Sequence, residues 1–312
     1  MDIVYLILSI IVIVKGADLL VDGCVNLAKV LKIPTLVIGL TVVAIATGVP
    51  EIAISISSSL KGTNDLLLGN IVGSNMFNIL FILGLIALLK PLLVKREIII
   101  KNYVFALLSC FVLCMISLDS FLNGDLVNVI SRVEGILLVC FALVFLYSTI
   151  LAVLDEKRLE VEKGKFSFQD VINIFLGLSM VGVSADLIVD CSVNISNWLG
   201  LSESMIGLTV VAIGTNLPEL VTSIVAVRKG EIDMAIGNLV GTNIYNIFLM
   251  LGLASIINPI VISSFAFIDM IILAVVSLLV YLFIHIKKDI NKVEGMIMII
   301  LYVAYFVYVV MR

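Results

Sequence analysis

Ten stretches of this chain are each apolar enough and long enough to cross a lipid bilayer, near 3–22, 36–60, 66–89, 98–118, 128–152, 169–190, 204–227, 234–257, 263–286 and 292–311. A helix needs about 20 apolar residues to span the hydrocarbon layer. Inside that layer no water is available to the backbone, so only helices or closed β-barrels are viable. Barrel strands alternate apolar and polar over about ten residues, whereas these runs are continuously apolar. Of the 312 residues 62% are apolar and 13% charged, against the roughly one-quarter charged of a soluble domain. The expectation is an all-α membrane protein with ten transmembrane helices.

The first stretch has no basic residue before Lys15 and no small-residue cleavage site, so it is expected to be a retained span rather than a signal peptide. The cysteines, Cys24, Cys110, Cys114, Cys140 and Cys191, form no C-x-x-C pair of the zinc or redox kind. They are expected to be small buried hydrophobes. The single His285 sits beside Lys287 and Lys288 and is expected at a basic membrane edge without a ligand role. A net charge of −4 and the lack of a basic stripe interleaved with aromatics give no basis for nucleic-acid binding. The bilayer is the expected partner, and no obligatory protein partner or cofactor is evident.

Cytoplasmic loops carry an excess of Lys and Arg. Lys29, Lys32, Lys90, Lys95, Arg96, Lys101, Lys157, Arg158, Lys163, Lys165, Arg228, Lys229, Lys287, Lys288 and Lys292 fall on one side of the ten-span arrangement, and Lys61, Arg132 and Arg312 on the other. The expectation is a multi-pass protein of the cell membrane with both termini outside.

The chain is also duplicated. Thr41-Val-Val-Ala-Ile-Ala-Thr-Gly-Val-Pro-Glu51 recurs as Thr209-Val-Val-Ala-Ile-Gly-Thr-Asn-Leu-Pro-Glu219, with 219 − 51 = 168. At the same offset Ala17-Asp18 to Asp22 matches Ala185-Asp186 to Asp190, and Lys61-Gly62 matches Lys229-Gly230. Gly69-Asn70 to Asn78 matches Gly237-Asn238 to Asn246, and Pro91 matches Pro259. Each half holds five spans, and five is odd, so the second half enters the membrane upside down, the inverted-repeat plan of secondary transporters. The halves are 1–152 and 169–312, with most of the likeness at about 39–85 and 207–253. The charged run in 153–168 is a short cytoplasmic linker.

A carboxylate at bilayer depth costs at least a few kcal/mol and marks a functional site by default. Glu51 and Glu219 are two such groups, related by the duplication. Proline lacks an N–H and clashes with the carbonyl four residues back. Pro50 thus frees the carbonyl of Ala46 and Pro218 that of Gly214, breaking each helix just before its Glu. Residues four apart share a helix face, which lines up Thr47, Glu51 and Ser55, and likewise Thr215, Glu219 and Ser223. The following span aligns Asn70, Ser74 and Asn78, matched by Asn238, Thr242 and Asn246. Gly69 with Gly73, and Gly237 with Gly241, let a neighbouring helix approach closely. Four oxygen-bearing stripes then converge. An oxygen-only set suits hard cations such as calcium or sodium and disfavours zinc and copper. Asp18, Asp22, Asp186 and Asp190 lie towards the ends of the first and sixth spans, where interfacial anchoring or hydrogen bonding is expected rather than ion coordination.

At these motifs the sequence resembles the sodium/calcium exchanger family of the cation/calcium antiporter superfamily, with Gly39 to Asn78 and Gly207 to Asn246 as its two α-repeats. The short central linker looks like that of a prokaryotic member. The resemblance implies a four-site cluster, one position calcium-preferring and the others for sodium. Glu51 and Glu219 would be the central ligands, Thr47, Thr215, Ser74 and Thr242 would supply hydroxyls, Ala44 and Ala212 carbonyls, and Asn78 and Asn246 would complete the ring. It also implies that the first and sixth helices slide across the rest to alternate access. Two positions depart from the pattern. The family often has serine after the motif threonine, where this chain has Gly48 and Asn216. Potassium-dependent relatives carry aspartate where this chain has Asn246.

The function expected is exchange of Na⁺ for Ca²⁺, at about three to one and electrogenic. The alternative within the class is a proton-coupled Ca²⁺ antiporter, since two close carboxylates can share a proton. A passive cation channel is a further class. An enzyme is not expected, because no Ser/His, paired-Asp or His-rich metal arrangement occurs.

Overall fold

The computed structural model describes residues 2–90, 92–93, 96–118, 128–155, 167–198, 212–287 and 289–311. The described residues are helical apart from turns and two short strand pairs. In chain order the helices are α1 (Asp2–Leu31), α2 (Thr35–Thr47), α3 (Val49–Lys61), α4 (Asn64–Leu89), α5 (Arg96–Ser117) and α6 (Arg132–Asp155). Then follow α7 (Phe168–Trp198), α8 (Ala212–Thr215), α9 (Leu217–Arg228), α10 (Ile232–Ile257), α11 (Ser264–Lys287) and α12 (Lys292–Met311). Seven described helices are long and apolar enough to cross a membrane, and α2 with α3, bent by 48° at their junction, make an eighth if read as one span. The expected span at 204–227 lies in part outside the described residues, as do most of the linker and the Thr209-Val210-Val211 copy of the first motif.

Helix starts follow local chemistry. At α6 the Ser131 N–H donates to Glu134 Oε2 at 2.6 Å and the Glu134 N–H to Ser131 Oγ at 3.3 Å. At α12 Asn291 and Glu294 make the same reciprocal pair, at 3.0 and 3.1 Å. Such capping boxes satisfy N–H groups that have no partner inside the helix. After α3 the chain turns at Gly62 with φ 70°, and after α9 at Gly230 with φ 88°, a left-handed backbone that only glycine adopts without strain. The Lys-Gly pairs of the duplication are therefore helix stops.

The two halves are laced together rather than set side by side. Strand β1 (Leu92–Leu93) pairs antiparallel with β4 (Asp289–Ile290), and β2 (Val129–Ile130) with β3 (Ile260–Val261). The helix contacts cross in the same way. Gly84 of α4 abuts Gly295 of α12, and Gly252 of α10 abuts Gly135 of α6. Gly16 and Gly23 of α1 meet α7 around Gly177 and Ile174, so these two helices run antiparallel, and Asn26 Nδ2 donates to Asp170 Oδ1 at 2.9 Å between them. Gly237 and Gly241 hold α10 against residues 36–44 of α2, the close approach expected of that pair. The counterpart surface for Gly69 and Gly73, residues 204–212, lies largely outside the described residues.

Three expectations need correction. Helices α1 and α7 run on to Leu31 and Trp198, well beyond the apolar stretches at 3–22 and 169–190, because helix continues where the sequence turns polar. Asp18, Asp22, Asp186 and Asp190 consequently lie within helices, not at their ends. Among the cysteines Cys24, Cys110 and Cys191 are buried, but Cys114 is half-buried and Cys140 exposed; Cys140 lies on the outer side of α6, where lipid would meet it. His285 is exposed at the end of α11 and stacks on Tyr281, ring centres 5.4 Å apart.

The α2–α10 contact has a measurable consequence. A methyl group added at Gly237 would lie 2.5 Å from the Leu36 carbonyl oxygen, and one added at Gly39 would overlap the Met234 carbonyl. Gly39→Ala and Gly237→Ala are each expected to destabilise the protein by about 1–3 kcal/mol, read as a lowered midpoint of thermal unfolding in detergent.

Candidate ion-binding site

Both broken helices put their glutamate in the same local setting. Helix α2 ends at Thr47, the chain bends at Gly48 (φ −77°, ψ 5°), and α3 restarts with Pro50 in its first turn. Helix α8 ends at Thr215, the bend is at Asn216 (φ −94°, ψ 5°), and α9 restarts with Pro218 in its first turn. The break thus precedes the proline, which occupies a position where its missing N–H costs nothing. Glu51 and Glu219 lie in the first turn of the restarted helices, where the helix dipole favours negative charge.

These two side chains are 1% and 0% exposed. None of their four carboxylate oxygens has a hydrogen-bond partner. Thr47, Thr215, Ser74, Thr242, Asn78 and Asn246 are also buried, as is Ala44. Ala212 is the first described residue of α8. The six hydroxyl and amide candidates and both glutamates are withdrawn from solvent.

The donors in this region point at one another. Asn78 Nδ2 donates to Asn243 Oδ1 at 3.0 Å, and Asn246 Nδ2 donates to Asn75 Oδ1 at 2.8 Å. Since 243 − 75 = 168 and 246 − 78 = 168, these are one contact made twice, crossing between the halves. Asn75 Nδ2 in turn reaches the Asn243 carbonyl at 3.3 Å. With their amide hydrogens held, Asn78 and Asn246 keep side-chain oxygens without a partner. Both are at or next to the start of π-helical stretches, Phe77–Ile82 and Asn246–Leu251, a widening of the helix often found at functional sites.

Hydroxyl groups are arranged in a similar manner. The Thr47 hydroxyl stands beside the Glu219 carboxylate, with the Val43 carbonyl at 3.0 Å and Asn238 Oδ1 at 3.1 Å as its acceptors. Asn238 Nδ2 donates to Ser223 Oγ at 3.2 Å. Thr242 Oγ1 donates to the Ala44 carbonyl at 3.4 Å, and Asn216 Nδ2 to Ser74 Oγ at 3.2 Å. Two asparagines here were not singled out from the sequence, Asn75 and Asn243, nor was the buried Thr222 hydroxyl, which has no partner. The doubled motif contained both asparagines, but their pairing across the halves is a tertiary fact.

What remains around the carboxylates is oxygen. Glu51, Glu219, Asn78 and Asn246 together present six partnerless buried oxygens, and such groups are costly unless something positive is shared among them. Calcium takes 6–8 oxygens in flexible geometry. Among the described residues no cluster of three or more His, Cys, Asp or Glu side chains exists.

A cavity of about 730 Å³ leads toward this region, lined on one side by Thr47, Val49, Pro50, Ala53 and Ile54, and on the other by residues of α7 including Asp186 and Asp190. Thr215 and Pro218 also reach it.

Residues 1–151 and 170–311 match the family model described as sodium/calcium exchanger protein. The chain is 30% identical over 338 residues to the sodium/calcium exchanger MaX1 of Methanosarcina acetivorans, covering 97% of this chain and 96% of that one. It is 36% identical over 265 residues to the inner membrane protein YrbG of Escherichia coli, covering 81% and 79%. The solved structure of the sodium-calcium exchanger NCX_Mj, prepared without Na⁺ and Ca²⁺, superposes with a TM-score of 0.85 at 28% identity, covering 99% of this chain and 98% of that one. MaX1 and NCX_Mj are exchangers, that is transporters rather than enzymes. The chain is a multi-pass membrane protein and belongs to the sodium/calcium exchanger family.

Proposed function

We propose that this protein exchanges Na⁺ for Ca²⁺ across the cell membrane by alternating access, at about three Na⁺ per Ca²⁺. The observation that carries the reading is the set of partnerless buried oxygens around Glu51 and Glu219. In this reading the two glutamates are the central ligands. Thr47, Thr215, Ser74 and Thr242 contribute hydroxyl oxygens, Asn78 and Asn246 amide oxygens, and Ala44 and Ala212 backbone carbonyls. The transported ions are the substrates, and no cofactor takes part.

The same reading counts ten spans in two inverted five-helix repeats, 1–152 and 169–312, joined by a cytoplasmic linker, with both termini outside. It is supported by the offset of 168, by the crossed contacts between the halves, and by the antiparallel run of α1 against α7. Two ionised glutamates are neutralised by one Ca²⁺, whereas three Na⁺ leave one excess positive charge. Each cycle then moves one net charge, worth about 2.3 kcal/mol per 100 mV.

Calcium uptake into sodium-loaded proteoliposomes tests this. Uptake is expected to require an outward sodium gradient and to fall to the level of protein-free vesicles in Glu51→Gln and in Glu219→Gln. Uptake that ignores sodium and follows a pH gradient would replace sodium with protons as the counter-ion. Flux without any counter-ion would make the protein a channel.

The crossed asparagines give a graded test. Removing Asn75 or Asn243 releases the amide hydrogens of Asn246 or Asn78, so that either amide is free to turn its N–H groups toward the ion. Asn75→Ala and Asn243→Ala are each expected to weaken half-saturation by calcium by about tenfold or more, the usual cost of losing a group that orients a ligand, while transport at saturating calcium persists.

A further inference from the structure

The duplication places a lysine at the end of α3 and of α9 and two aspartates on α7 and on α1, yet the two copies are in different states. Lys229 Nζ lies 2.8 Å from Asp22 Oδ1 and 3.4 Å from Asp18 Oδ1, and donates to the Asp18 carbonyl at 2.9 Å. Helix α1 packs closely along α9 on this side. The counterparts are Lys61, Asp186 and Asp190, since 229 − 61, 186 − 18 and 190 − 22 all equal 168. Among the described residues they form no ion pair. There α7 is held away from α3 by the 730 Å³ cavity, and Asp186 and Asp190 line its wall.

We propose that these two Lys–Asp–Asp sets are reciprocal latches: Lys229 locks α1 onto α9 while the cavity between α3 and α7 is open, and Lys61 engages Asp186 and Asp190 when that cavity closes. This rests on the alternating-access reading above. Each latch joins one of the long antiparallel helices, α1 or α7, to the helix that carries a site glutamate. Because α1 and α7 are packed against each other along their lengths, a slide that draws α7 onto α3 pulls α1 off α9. One ion pair forms as the other breaks, so the charge cost of the transition is largely cancelled. The pairs are part-exposed, with side-chain exposures of 27% for Lys229 and 37% and 58% for its two partners. A pair so placed is weak enough to release.

The test reads accessibility, not flux. Single cysteines are placed at Ala53, on the cavity wall, and at its repeat counterpart Val221, in full-length protein whose five native cysteines are replaced. Labelling by a hydrophilic maleimide is then timed in detergent. Lys229→Gln is expected to slow labelling at position 53 and speed it at position 221, each by about threefold or more, a shift of the size a weak ion pair supports. Lys61→Gln is expected to do the reverse. Lys229→Arg, and the swap Lys229→Asp with Asp22→Lys, should restore the parent rates. A purely structural role would move both lysine variants in one direction, and that result, or unchanged rates in Lys229→Gln, overturns the proposal. Opposite shifts in a protein that shows no sodium-driven calcium flux would uphold the latches and reject the cargo assignment instead.

Discussion

Two carboxylates without a hydrogen-bond donor, buried between helices that lipid surrounds, are the constraint to which the neighbouring structure answers. Such groups are tolerated only where positive charge is supplied. The amides of Asn78, Asn246 and Asn238 each donate elsewhere, to Asn243, Asn75 and Ser223. In the proposed reading a hard cation is what the six partnerless oxygens share.

That commitment of donors also bears on the departures from the family pattern. At the first bend Gly48 offers no side chain, and an added methyl there would press on the Met250 side chain and the Ala44 carbonyl. At the second bend Asn216 places an amide against Ser74, so the Ser74 oxygen is an acceptor within the protein. The two halves of the site are therefore unequal. Thr47 reaches across to Asn238, which bonds Ser223, whereas the repeat counterparts of those last two, the Asn70 amide nitrogen and the Ser55 hydroxyl, have no partner.

Much of this was legible in the sequence, because membrane burial and proline geometry act locally. The apolar runs marked the helices, Pro50 and Pro218 marked the breaks, and a buried Glu after each marked the site. The bend fell at Gly48 and Asn216 because a proline is accommodated in a first helical turn. Helix length was not legible from hydropathy: α1 continues to Leu31 although Asp22, Lys29 and other polar residues follow the apolar stretch. The crossed asparagines were also out of reach. Nothing in the local pattern distinguishes Asn75, which orients a neighbour, from Asn78, whose oxygen remains free, until the other half of the chain is laid against it.

The lacing of the halves has a consequence for how the chain comes into being. Leu92 and Leu93 wait for Ile290 and Asp289, and Gly84 waits for Gly295, partners made 290 − 92 = 198 and 295 − 84 = 211 positions later. Until Asn243 and Asn246 are synthesised, Asn75 and Asn78 have no amide to meet. The newly inserted first half thus enters the bilayer with its polar seam open, and that seam closes only when the second half arrives.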